Sequence, residues 1–146
     1  MATIVRSYGT AQYGSTSPIA QGSTTAGSGA TYTTALCDWI ERDGFVTLTF
    51  NMTYTGLAGG LVGRQQVRLP GAPLPKYSVI GSCSITGTGG AIGGGVDHIL
   101  ESYISNLDST TVVDLYTDNI TTNAITDVEV EAAATIRGTF VYPTSS

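Results

Sequence analysis

From Phe45 to Thr55 the chain alternates without a break. Val46, Leu48, Phe50, Met52 and Tyr54 fall on one side, and Thr47, Thr49, Asn51, Thr53 and Thr55 on the other. A period of two marks a β-strand with one buried and one solvated face. The stretch TYTTALCDWI, followed by ERDG, predicts a strand over Thr31–Ile40 that joins Phe45–Thr55 in an antiparallel hairpin, with Asp43-Gly44 as its turn.

The same pattern recurs along the chain. A short strand is expected near Gln65–Leu69, after which Pro70, Pro73 and Pro75 forbid a ladder. KYSVIGSCSIT sets Tyr77, Val79, Gly81, Cys83 and Ile85 on one face. VDHILESYIS reads as a strand from its Ile and Tyr content, and TTVVDLYT as another. At the end, Ala134, Ile136, Gly138, Phe140 and Tyr142 alternate with Thr135, Arg137, Thr139 and Val141. About seven to nine strands, with turn signals every ten residues or so, predict an all-β fold: an antiparallel β-sandwich, jelly-roll-like. Residues 1–16 are polar, small and aperiodic, and are expected to be an extended N-terminal arm; residues 17–146 form the sandwich domain.

Composition supports the β reading. Charged residues make up 12% of the chain, about half the usual share, and Lys76 is the single lysine. Helices with wet faces need more charge than that, whereas Thr serves the outer face of a strand. The net charge of −5, with Arg6, Arg42, Arg64, Arg68 and Arg137 scattered, speaks against nucleic acid as a partner. No stretch resembles a membrane span, and MATIVRSYGT lacks the layout of a signal peptide, so a soluble protein made in the cytoplasm is expected. Cys37 and Cys83 are expected as reduced core thiols rather than as a bridge.

The segment GTGGAIGGG, residues 87–95, invites a phosphate-loop reading and fails it. No lysine follows its glycines, and the dinucleotide spacing ends on Ile92 or His98 instead of glycine. His98 beside Asp97 makes no triad, because neighbours on a strand point to opposite faces. One histidine and two distant cysteines give no metal-ligand spacing, and Asp108, Asp114 and Asp118 lack that of a calcium loop. The carboxylate pairs Asp38/Glu41 and Glu129/Glu131 read as solvated faces rather than as a hydrolytic pair. No enzyme and no cofactor are expected. The glycine segment is read as a flexible connection between strands, with Ile92 its one side chain to bury.

The order PIAQGSTTAGSGATYTT, CDWIERDGFVTLTFNMTYT, GLAGGLVGRQQVRLPGAP and ATIRGTFVYPT resembles a family of small bacteriophage virion β-domains, those of capsid decoration proteins and tail- or head-fibre tips. The residues that carry the likeness are Trp39, Gly44, Val46–Tyr54, Val67, Leu69, Pro70 and Gly138–Tyr142, over about Pro18 to Thr144. The resemblance implies a jelly-roll-like sandwich working as a homotrimer on the virion, bound to the major capsid protein or another virion protein. Two functions follow from it: a decoration (cement) protein that stabilises the phage head, or a fibre tip that binds a host-surface glycan or protein. With about thirty residues before the domain and no shaft, the decoration protein is the expected one. Arg6, Tyr8 and Tyr13 in the arm and Ile92 in the glycine loop are the candidate subunit or capsid contacts.

Overall fold

The structure is a computed structural model and describes residues 10–24, 30–57, 65–87, 97–119, 124–127 and 133–145. Ten strands are found among them: β1 (Gln12–Thr16), β2 (Ile19–Gly22), β3 (Ala30–Arg42), β4 (Phe45–Leu57), β5 (Gln65–Leu69), β6 (Val79–Gly87), β7 (Asp97–Leu107), β8 (Thr110–Asn119), β9 (Ala124–Asp127) and β10 (Ala134–Pro143). Every pairing is antiparallel. The strand order is β1-β3-β4-β10-β6-β7-β8-β5-β2, with β9 beside β8. The edge of β8 is shared: residues 111–114 pair with β5 and 116–119 with β9.

All ten strands belong to one hydrogen-bonded sheet, curled into a half-barrel, where two separately bonded sheets were expected. The curl follows from connectivity. β1 and β2 are the two outermost strands of the order, yet Ser17 and Pro18 alone join them. Three Cα steps reach at most about 11 Å, so the two edges of the sheet must come together there. Hydrogen bonds span the closure: the Thr16 hydroxyl donates to the Pro70 carbonyl, and the Ala20 N–H donates to the Tyr32 hydroxyl at 2.8 Å. Deeper inside, the Tyr54 hydroxyl on β4 donates to Oε1 of Gln65 on β5, 3.0 Å away and fully buried.

Of the expected arm, Gln12–Thr16 is therefore a strand of the sheet, held against β3 from Gln12↔Glu41 to Thr16↔Cys37. The free edge of β3 satisfies its backbone, which a polar composition alone does not reveal. The β3–β4 hairpin turns at Asp43 and Gly44, both at positive φ (53° and 80°), as the primed two-residue turn requires. Beyond β5 the chain makes a turn with Pro70 second and Gly71 third at φ 80°, closed by Ala72 N–H to the Leu69 carbonyl at 3.2 Å. That is type II geometry.

The inner face is the core. On β4 and β10 every second residue is buried: Val46, Leu48, Phe50, Met52 and Tyr54 against Tyr142, Phe140, Gly138, Ile136 and Ala134 in direct register. Val67, Leu69, Cys83, Ile85, Ile104, Val113 and Leu115 complete it from the other strands. Each large side chain so buried contributes about 1.5–3 kcal/mol. The Phe50 and Phe140 rings stack with centroids 6.5 Å apart and planes 8° from parallel. Ser102 donates to the Gly81 carbonyl at 3.0 Å, and Tyr142 to that of Pro73 at 2.8 Å.

Candidate functional site

Register determines what the outer face presents. Tyr13 lies opposite Ile40, Ile40 opposite Thr47, and Thr47 opposite Val141. Two residues beyond the Thr139↔Ser82 pair, the same register sets Val141 beside Ile80, and Ile80 lies opposite Tyr103. One row thus crosses six strands, from β1 to β7. Its apolar members stand in solvent: Tyr13 is 70% exposed, Ile80 64%, Val141 56% and Ile40 41%. Phe45 and Leu36 are exposed on the same face, at the strand positions that alternate away from the core. Leu107, at the end of β7, shares the outward phase of Tyr103, so among the described residues seven of the nine exposed large apolar side chains stand on the outward side of these strands; Ile19 and Tyr77 are the others. Surface apolar residues are normally scattered, so such a concentration makes this face the candidate site.

Beside the apolar row runs a row of small polar groups: Ser15, Asp38, Thr49, Thr139, Ser82 and Glu101. The next rows carry Asn51 and Arg137, 3.4 Å apart, then Thr53 and Thr135, whose hydroxyls meet at 3.0 Å. β-Branched Thr suits the solvated side of a strand, which explains why this face is so poor in charge. At the far end Tyr103 packs edge-on against Tyr116 of β8, with ring centroids 5.5 Å apart.

Of the sequence-derived contacts, Tyr13 begins the row, on the outermost strand. Arg6, Tyr8 and Ile92, like Glu129 and Glu131, lie outside the described residues, as does the glycine stretch from Thr88 onwards. Ile40, Val141 and Ile80 complete the row, and none of them stands out in its own segment. Each occupies a strand position whose neighbours in phase are not large apolar residues: Asp38 and Arg42 for Ile40, Thr139 and Pro143 for Val141, Ser78 and Ser82 for Ile80. That out-of-phase apolar residue, repeated on three strands, is the signal available in the sequence.

No catalytic grouping emerges from the same geometry among the described residues. Asp38 and Glu41 are three apart on β3 and face opposite ways, so the pair does not converge. The backbone of His98 stands on β7 opposite Ile85, with Asp97 opposite Thr86. No three His, Cys, Asp or Glu residues gather in a way that would hold a metal ion among the described residues. No described helix is long and apolar enough to cross a membrane.

Cys37 and Cys83 are both free and buried, in agreement with the expectation. Through Phe50 and Gly138 they occupy one row, three strand spacings apart. That is about 14 Å along the sheet, too far for a bridge. Burial, reinforced for Cys37 by the adjacent Asp38 carboxylate, pushes both thiols up to about 12. They are packing groups and poor nucleophiles.

On the outer side of β2, β5 and β8 a different surface forms. Gln21 donates to Gln66 Oε1 at 2.8 Å, and Gln66 donates to Asp114 Oδ1 at 2.6 Å. Both polar ends of the Gln66 amide are satisfied, which is why it is buried where an outer residue is normally wet. Compared with protein-family models, with curated proteins and with solved structures, the chain matches none.

Proposed function

We propose that this chain is a structural protein of a bacteriophage virion, a capsid decoration (cement) protein that works as a homotrimer and stabilises the head. In this reading the facing halves of the curled sheet act as the layers of a jelly-roll-like sandwich, and the chain has no catalytic task. The observation that carries it is the outer face of β1, β3, β4, β10, β6 and β7, apolar and hydroxyl-rich, with few charges. A lattice component needs a broad surface of that kind, with binding energy spread over many contacts instead of gathered in a pocket. The resemblance of segment order to phage virion β-domains supplies the setting, and the major capsid protein is the proposed lattice partner.

Quantitative mass spectrometry of purified virions tests the proposal. A copy number that scales with the major capsid protein is expected. A count far below it places the protein in a fibre, and absence from virions overturns the reading altogether.

A further inference from the structure

We propose that the outer face centred on the Tyr13–Ile40–Val141–Ile80 row seats a second copy of this chain. The inference deepens the reading above, on which it rests for its setting, by naming the surface through which the subunits join.

The first argument is area. Five strands, β1, β3, β4, β10 and β6, span about 24 Å, and strands of some ten residues run about 33 Å. The product is about 800 Å² per partner, the area that a stable protein–protein interface buries on each side. The apolar row crosses this face close to one end of the strands, with Ile40 and Val141 each two residues from the last residue of β3 and β10, and the hydroxyl rows continue from it along the rest of the face. Large apolar side chains and groups that bond equally well to water are thus segregated on one continuous surface.

The second argument is charge. The chain carries −5 overall, so two copies meeting through an average surface repel. This face is close to neutral at its described strand positions. Asp38, Asp97 and Glu101 stand against Arg42 and Arg137, all at outward register positions of β3, β7 and β10. Copies of an acidic protein approach one another most easily through the part nearest neutrality.

The third argument is the absence of deterrents. Natural sheets discourage unwanted pairing with lysine, proline or inward-turned charge at exposed apolar positions. Between Gln12 and Thr16, and at Ile40, Val141 and Ile80, no such residue stands. The hydroxyl groups beside the row bond equally well to water or to a partner, and cost little to cover.

Light scattering on the eluting wild-type protein, across a range of concentrations, provides the test. The wild type is expected to run as a multiple of its 15.1 kDa chain mass. Ile80→Lys with Val141→Lys places two unpaired charges in the contact and weakens association about a hundred-fold or more, to the monomer mass, with an unchanged far-UV spectrum. Should the lysine variant fail to fold, Ile80→Thr with Val141→Thr keeps β-forming residues and removes only the apolar surface; a smaller shift towards monomer is expected. A wild type that stays monomeric at high micromolar concentration overturns the inference, as does a folded variant that keeps the wild-type mass. The virion reading fails separately. Protein that self-associates through this face but is missing from virions leaves the inference standing, whereas monomeric protein abundant on virions does the reverse.

Discussion

Phe50 lies directly opposite Gly138 on neighbouring strands, and its ring fills the space where a side chain at 138 would begin. A Cβ there would come 2.5 Å from the ring and 3.1 Å from the Cys83 sulfur. The arrangement repeats: Phe140 covers Gly81, and Trp39 covers Gly14 across the β1–β3 pair. An aromatic ring laid over a cross-strand glycine restores the buried area that the glycine lacks. Gly138→Ala is therefore expected to destabilise the fold by about 1–3 kcal/mol through overpacking. Urea denaturation should show a lower midpoint with an unchanged slope.

Trp39 is the single tryptophan, and its ring rests on β1. Its indole N–H is buried with no hydrogen-bond partner among the described residues. Gly14→Val should lever β1 away from β3, wetting the indole and shifting its fluorescence to the red while the rest of the sheet stays folded. Deleting residues 1–16 should give the same shift and weaken attachment to neighbouring subunits. Unchanged emission in both variants would show that β1 does not cover the ring. Full capsid binding by the truncated protein would exclude an attachment role for the segment.

The two thiols make stability fall at high pH. Both are pushed from 9.0 to about 12 by burial in the folded chain. Above pH 9 the unfolded chain releases thiol protons that the folded chain retains, so the folded state binds more protons and stability decreases as pH rises. The contribution is fully present below 9 and is lost between 9 and 12. The Cys83 thiol steepens the fall by at most about 1.4 kcal/mol per pH unit. Denaturation midpoints for wild type and Cys83→Ala at pH 8 and pH 10.5 should converge at the higher pH. At pH 8 a thiol reagent should modify neither cysteine until denaturant is added.

The turn between β7 and β8 holds Asp108 at φ 48° and Ser109 at φ 59°. This is the primed turn that favours Asn-Gly, and a left-handed serine costs about 1–2 kcal/mol. Ser109→Gly should stabilise the protein, by less than that amount because glycine loses more chain entropy on folding. A rise in thermal midpoint is the expected result, and a fall would mean that the Ser109 side chain makes a contact worth more than the strain.

Much of the inner face was legible because its period is strict. The β3–β4 hairpin, β5 and the alternation of β10 follow from residue type alone, and Asp43-Gly44 names its own turn. β1 and β2 were not legible, since QYGST and IAQG are strands by virtue of the edges that receive them. Gln65 and Gln66 are both buried, one in the core and one in an amide relay outside it, and polarity gives no hint of either. The exposed apolar row was hidden for another reason. Its members come from separate segments, and only the pairing of the strands aligns them.

One consequence concerns synthesis. β10 is the last strand in chain order, yet it lies between β4 and β6, paired with both. Strands emerging earlier from a ribosome can form hairpins, but β4 and β6 are joined in the sheet only by residues 134–143 between them. Completion of the sheet must wait for that segment, and the contacts it closes are distant in sequence, which makes closure slow. Until then the apolar sides of β4 and β6 lack their common neighbour. β10 acts as a keystone, placed last and bearing on both sides.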